Sequence, residues 1–513
     1  MSFSLSWLLG LIPLLPAAAG LLAVRRSAPV AVRLARGAAT GALALAAVAV
    51  FALAVAGSTT VRWSPFGAEA PLHFSLRLDV ISAVMALLVG FLGWVVIRFA
   101  GTYLTGDARQ SRFMAWMLVT CASVLTVVLS GNLFLTWVAW VGTSLSLHRL
   151  LLHYPDREGA IFSARKKFVV SRLADASLGM ALVLLYRDYG TWELDALFAA
   201  VRDGHTAGLP VIGFLLAACA ALKSAQFPFH SWLPDTMETP TPVSAFMHAG
   251  IINAGGFLVV RLSPLFVHAP GALSALAVLG TLTAAFGAIV MLTQPSVKRA
   301  LAYSTIAQMG FMMLQCGLGA FGLALLHLVA HSLYKAHAFL HAGSTIGAVP
   351  RAAIPLRTPA LVVGLLSGGL LVAGGATALA VLAPTLPVHL GIFAAALAFA
   401  LAYGLARIWS TGTDTRTVLR GVAGAGAIAL ASLALHAGAT TIFASLPTVN
   451  PPVAVVGFAA ATFLALFVFQ ALLWRAGHYA IGRRLYVHAL NGFYVGTLAN
   501  RLLGRLWPRH HVA

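Results

Sequence analysis

Apolar residues run through this chain in long stretches, with little strict alternation of polar and apolar positions. Windows opening near residues 3, 38, 78, 112, 131, 163, 208, 240, 270, 299, 319, 358, 387, 418 and 451 each continue for about one bilayer crossing. Backbone amides in lipid must be satisfied within a helix or a closed barrel, and the missing two-residue period selects helices. The pattern therefore predicts an all-α polytopic transmembrane bundle of about fifteen helices. The first stretch, 3–22, is long enough to span, lacks a basic leader and is followed by further spans. It is expected to be the first crossing rather than a signal peptide.

Composition agrees. Of 513 residues, 60% are hydrophobic and 9% charged, and the mean hydropathy is +0.91, whereas soluble domains carry about 25% charged residues. Cys121, Cys219 and Cys316 lie apart in apolar runs, a placement that suits packing and offers neither a disulfide framework nor a metal cluster.

The formal charge of +20 raises the possibility of nucleic-acid binding. Its placement argues otherwise. With the N-terminus periplasmic and loops alternating sides, 24 of the 33 Lys and Arg fall in cytoplasmic segments, among them Arg165, Lys166, Lys167, Arg351 and Arg357. Five fall outside, at Arg62, Arg77, Arg187, Arg202 and Arg261, and four lie within spans. This is the positive-inside asymmetry of a bacterial inner-membrane protein with a cytoplasmic C-terminus, and no nucleic acid is needed to explain it.

Proline and glycine punctuate some spans. Residues 227–242 contain Pro228, Pro234, Pro240 and Pro242, which reads as a plain kinked loop or as a broken helix of the kind that lines transport cavities. A second interruption is expected near 327–347, and the two hint at an internal repeat. Beyond Trp474, basic residues (Arg483, Arg484, Arg501, Arg505) mix with Leu485, Tyr486, Phe493, Leu502 and Leu503, as in an interfacial amphipathic helix or a docking tail. Four regions result: N-terminal spans over 1–110, a core over 111–410, C-terminal spans over 411–475 and a basic cytoplasmic tail over 476–513.

Ionisable groups inside spans are costly and by default mark an ion or proton route. Asp79 begins the third helix, Arg172 and Asp175 lie in the sixth, Lys223 in the seventh, His248 in the eighth, and His327, His331 and Lys335 in the eleventh. At about 100° per residue, the last three spread over roughly 80° of one helix and can face one channel. His337 and His341 are expected to extend that side. Neutral core packing is the plainer reading of the histidines, and a neutralised i, i+3 pair is the plainer reading of Arg172 and Asp175. His327 and His331 have metal-ligand spacing, but the glutamate of HExxH is missing and Lys335 would repel a cation, so no metal is expected. Asp235 and Glu238 fall in a loop, and no phosphate loop, nucleophile elbow or cysteine cluster supports soluble catalysis.

Three motifs carry a resemblance. Lys223-Ser-Ala-Gln-Phe-Pro-Phe-His-Ser-Trp-Leu-Pro-Asp-Thr-Met-Glu-Thr-Pro-Thr-Pro-Val-Ser-Ala, continuing to His248, resembles the signature of antiporter-like subunits, the large ion-pumping subunits of respiratory complex I and of multisubunit Na+/H+ antiporters. Val297-Lys-Arg-Ala-Leu-Ala-Tyr-Ser-Thr-Ile-Ala-Gln-Met-Gly, followed by His327, His331 and Lys335, is a second match, and Lys166-Lys-Phe-Val-Val-Ser-Arg-Leu-Ala-Asp175 a third. Together they cover most of residues 79–347.

The resemblance implies two inverted five-helix repeats, each with a broken helix, and proton-path roles for Lys223, His248, His327, His331 and Lys335. Two positions depart from it. The fifth helix reads Trp140-Val141-Gly142 where a glutamate usually follows the tryptophan, and the twelfth reads Leu366-Ser-Gly-Gly-Leu where a lysine or acid is usual. With an end soon after the fifteenth span, no long lateral helix of the complex I type is expected.

These features most resemble the membrane subunits of DAB-type inorganic-carbon accumulation complexes. That resemblance implies a transport subunit rather than an enzyme, without a cofactor of its own. It would conduct H+ or Na+ and drive a cytoplasmic, zinc-containing, carbonic-anhydrase-like partner (the DabA type) that hydrates CO2 to bicarbonate. The alternatives are an ion-pumping subunit of an NADH-quinone oxidoreductase or of a multisubunit Na+/H+ antiporter, and a scaffold whose polar residues only pack.

Overall fold

The computed structural model describes residues 2–64, 73–345, 358–382, 391–410, 415–476 and 480–507. Arg351 and Arg357, and the last six residues of the tail, lie outside them. In chain order the helices are α1 (Ser2–Ala23), α2 (Ala28–Ala56), α3 (Val80–Tyr103), α4 (Gln110–Leu129), α5 (Leu133–Leu151), α6 (Glu158–Tyr189), α7 (Leu194–Arg202) and α8 (Leu209–Lys223). Then follow α9 (Trp232–Asp235), α10 (Thr241–Ala249), α11 (Ala254–Arg261), α12 (Ser263–Phe266), α13 (Pro270–Met291), α14 (Val297–Gly317) and α15 (Phe321–His341). The series ends with α16 (Thr358–Leu382), α17 (Gly391–Ser410), α18 (Thr415–Ile442), α19 (Val453–Ala476), α20 (Ala480–Leu490) and α21 (Val495–Leu506). One antiparallel hairpin, β1 (Thr59–Trp63) with β2 (Phe74–Leu78), joins α2 to α3.

Among the described residues, nine segments are long and apolar enough to cross a membrane, α10 and α11 counting as one interrupted crossing. Three shorter apolar helices, Trp7–Ala23, Leu209–Lys223 and Pro359–Leu371, add to them. Helices α5, α14 and α15 are also long but carry more polar residues and fall outside that criterion.

The ends of the helices sort into two faces. At the hairpin end, the Leu133 amide donates to the Trp192 carbonyl at 2.8 Å and the Gly131 amide to the Ser75 carbonyl at 2.9 Å. There the buried Glu193 accepts from Ser75 Oγ at 2.7 Å and from Asn132 Nδ2 at 2.8 Å. At the opposite, basic end, Arg109 donates to the His153 carbonyl at 3.1 Å, Lys298 to Thr241 Oγ1 at 3.0 Å and Gln294 to the Leu490 carbonyl at 3.1 Å. The alternation expected from the basic loops is thus the alternation of the fold.

Local sequence explains the boundaries. Asp79 caps α3, accepting from the Ser82 amide at 2.9 Å while Ser82 Oγ accepts from the Asp79 amide at 2.8 Å, a reciprocal capping box. Asn132 caps α5 by accepting from the Leu135 amide. Glycines set the closest approach of α13 to α14: a Cβ on Gly310 would lie 2.4 Å from the Ala284 nitrogen, so only a hydrogen fits there.

Three expectations need correction. Lys166 and Lys167, expected in a cytoplasmic segment, lie inside α6, which starts at Glu158 and buries both lysines, and both have partners there. The second interruption does not cut the histidine row, because α15 runs unbroken to His341, where it tightens into a 3-10 turn, and residues 346–347 lie outside the described residues. His337 and His341 do not extend the buried side; their rings stack 5.4 Å apart on the exposed face, since +2 and +6 from Lys335 turn them away from it. The first interruption is present. After Lys223 the chain passes through Ala225 (φ 49°) and three short helical turns before α10 begins behind Pro240.

Candidate polar path through the bundle

Two buried centres flank one cavity. In the first, α8 ends on Lys223, whose Nζ donates to Ser144 Oγ on α5 at 2.6 Å and lies 4.7 Å from the centre of the Trp140 ring. Lys167 Nζ, from α6, donates to the carbonyl of the same Ser144 at 2.7 Å. Both lysines are buried. The carboxylate whose charge reaches both amines is Asp175, and it is already ion-paired with Arg172 one turn away on α6. The expected Arg172–Asp175 pair therefore exists, beside the first centre rather than in line with it.

The sequence reading missed Lys167 and Ser144. Lys167 was hidden by Lys166 and by its place in a basic run, and a lone serine on an apolar helix gives no signal. Lys166 itself points elsewhere, donating to Asp235 Oδ2 at 2.5 Å, so the loop acid seen in the sequence is the partner of a buried amine at the basic end.

In the second centre, α10 packs against α15. His248 is fully buried; its Nδ1 lies 3.0 Å from Thr305 Oγ1 and its ring stacks on Phe339 at 4.3 Å. Lys335, also fully buried, donates to the Leu301 carbonyl at 3.1 Å. The rings of His327 and His331 meet edge to face at 6.0 Å. Both nitrogens of His327 face amides of α14, Gln315 Oε1 at 2.8 Å and Gln308 Oε1 at 2.9 Å. Amide oxygens and nitrogens exchange by a half-turn, so these two glutamines can serve either a neutral or a charged imidazole. They also occupy the nitrogens that a metal would need. By contrast, His248 Nε2 and His331 Nε2 are buried with no hydrogen-bond partner among the described residues.

Between the centres lies a small cavity of about 20 Å³, mostly apolar, whose polar lining is Lys223, Thr143, Asn253 and Ser332. Asn253 Nδ2 donates to Ser332 Oγ at 2.8 Å, joining the break between α10 and α11 to the middle of α15. Polar groups on both walls and a volume of about 20 Å³ give the cavity room for about one bridging water. Asp79 stands apart. It accepts from Arg261 at 2.6 Å and from Arg77 at 2.7 Å, an ion cluster at the hairpin end.

The comparisons with known proteins fit this architecture. The sequence profile of the NADH:quinone oxidoreductase/Mrp antiporter transmembrane family matches residues 130–419, and that of the complex I chain 5 N-terminus matches residues 63–114. A probable inorganic carbon transporter subunit, DabB2 of Halothiobacillus neapolitanus, is 41% identical over 85% of this chain and 81% of its own. DabB of Hydrogenovibrio crunogenus is 39% identical over 72% and 71%, and NADH-quinone oxidoreductase subunit L of Mycobacterium tuberculosis 37% identical over 56% and 46%. Among solved structures, the Mrp complex of a Dietzia species aligns with a TM-score of 0.59 at 24% identity over 99% of this chain and 58% of that one. The membrane-bound sulfane sulfur reductase, an archaeal respiratory complex, aligns with a TM-score of 0.61 at 17% identity over 97% and 99%. Those two likenesses concern the fold alone. The chain is a multi-pass membrane protein of the antiporter-like NADH:quinone oxidoreductase/Mrp family, and within it belongs with the inorganic carbon transporter subunits of the DabB type.

Proposed function

We propose that this chain is the cation-conducting membrane subunit of an energy-coupled inorganic carbon pump. The observation that carries the reading is the pair of buried polar centres on either side of one cavity: Lys167, Ser144 and Lys223 on one wall, and Asn253 with Ser332, next to the α15 row, on the other. Protons or sodium ions enter at the hairpin end by His327 and its two glutamines, pass His331, His248 and Lys335, and cross the cavity to Lys223. They leave by Lys167 toward Lys166 and Asp235 at the basic end. Amines and imidazoles are suited to this because each holds or releases one proton without the cost of a permanently unpaired buried charge.

Under the positive-inside rule the basic end is cytoplasmic, and the flow is inward. A zinc-containing, carbonic-anhydrase-like partner docked on that face uses it to hydrate CO2 to bicarbonate, and the zinc belongs to the partner. The reading is supported by the likeness to probable carbon-transporter subunits over most of both chains. In cells lacking carbonic anhydrase, the complex should restore growth in air and bicarbonate uptake, and an uncoupler should abolish both. Lys223→Ala and Lys335→Ala should each remove that rescue while the complex still assembles; normal growth of both variants would overturn the reading. Likeness to subunit L of NADH-quinone oxidoreductase favours the second reading, a respiratory or antiporter subunit. Co-purification separates the two: one large zinc protein indicates the carbon pump, and several Fe–S or small antiporter subunits indicate the rival.

A further inference from the structure

At the basic end, a pocket of about 210 Å³ opens beside the start of α4 and the end of α5, lined by Arg109, Arg112, Trp116, Arg149 and His153, with apolar side chains behind them. Three guanidiniums converge there without three acids to meet them. Arg109 is committed to the His153 carbonyl and, at 3.5 Å, to Asp156. Arg149 lies over the Trp116 ring at 6.0 Å. Arg112 is exposed and has no acidic partner among the described residues.

The position of the pocket says what fills it. Arg149 continues the exposed apolar stripe of α5, Val138 (47% exposed) and Leu145 (45%), spaced by seven and then four residues on one face. That face is turned to the hydrocarbon, so Arg149 is where it meets the basic aqueous end. On α4, Arg112 and Trp116 are likewise one turn apart on one face, and an indole at this depth is typical of the membrane interface. A ligand that suits both surfaces carries an anionic, doubly accepting headgroup for the guanidinium forks and an acyl chain for the stripe.

We propose that the α4–α5 pocket is a binding site for an anionic phospholipid, its phosphate held by Arg112 and Arg149 and one acyl chain laid along Val138 and Leu145. Both arginines are exposed and stand away from the ion path, so the site is independent of the transport reading.

The purified complex, delipidated in mild detergent, is tested by native mass spectrometry and thermal unfolding with phosphatidylglycerol, cardiolipin, phosphatidylethanolamine or inorganic phosphate. Anionic lipid is expected to be retained and to raise the unfolding temperature, while phosphatidylethanolamine and inorganic phosphate do neither. The double variant R112Q/R149Q should bind the anionic lipids roughly 30-fold more weakly, at about fivefold for each interfacial charge, and should keep the unfolding temperature of the delipidated wild type. Equal retention of phosphatidylethanolamine, equal stabilisation by inorganic phosphate, or unchanged lipid binding by the double variant would overturn the proposal.

Discussion

At Ser144 two buried amines meet on one residue; at Gly364 and Gly368 two helix backbones meet with no side chain between them. Both places are where the chain departs from the antiporter-like pattern. In α5, where the glutamate is missing, Lys223 donates to the hydroxyl of Ser144 and Lys167 to its carbonyl, and Asp175 on α6 is the carboxylate whose charge reaches both amines. In α16, the missing lysine or acid leaves Ser367-Gly368-Gly369, and the helix closes on α17. A Cβ at Gly364 would lie 2.4 Å from the Ala402 oxygen, and one at Gly368 would lie 2.8 Å from the Ala402 nitrogen. One departure leaves polar groups bonded across α5, α6 and α8, and the other leaves dry small-residue packing. In the proposed path the hairpin-end mouth falls at His327, Gln308 and Gln315, since α16 offers no titratable group to carry it onward.

The contrast is broken most severely at Lys223. Lys223→Met should lower bicarbonate uptake by on the order of a hundredfold, as loss of a positioned proton carrier does elsewhere, with the complex intact by size-exclusion chromatography. Retained uptake would make the Ser144 centre structural.

Lys167→Met removes the second amine and should lower uptake by roughly tenfold, the scale of a lost charged hydrogen bond. Lys167→Arg should recover part of it. An unaffected Lys167→Met variant would return the residue to packing.

Gly364→Leu tests the other side of the comparison. Overpacking of about 1–3 kcal/mol should lower the unfolding temperature in detergent by several degrees, whereas uptake per assembled complex should hold. A selective loss of uptake would place α16 back on the path.

The smallest effect concerns the loop at the basic end. Burial raises the Asp107 carboxyl, but hydrogen bonds from the Arg109 amide and from His153 outweigh it and hold its pKa below the ordinary carboxylate value. A lowered folded-state pKa contributes stability that is present above the unfolded value and lost as pH falls through the folded one. Wild-type thermal stability should therefore decline on acidification below about pH 4 more steeply than that of Asp107→Asn. Identical acid limbs would remove the pair from the account.

Much of this was legible beforehand. The run of apolar windows predicts the crossings because lipid leaves helices little alternative, and the distribution of arginine predicts which ends share a face. His248 and the His327–Lys335 row could be found because charge in an apolar run is conspicuous. Ser144 could not, since a serine costs little in any helix, and Lys167 could not because a basic run reads as a loop until α6 is seen to begin at Glu158. The glutamine clamp on His327 depends on α14 and α15 lying side by side, which the spacing within one helix does not reveal.

The most direct measurement is cation flux through the assembled complex in proteoliposomes, read by an internal pH dye and by radiolabelled sodium, with a gradient imposed from the hairpin end. The path described here predicts a flux in the wild type that is lost when either wall of the cavity is severed, by Lys223→Met or by Lys335→Met. Undiminished flux of both ions in the two variants would show that charge crosses this membrane without the buried amines.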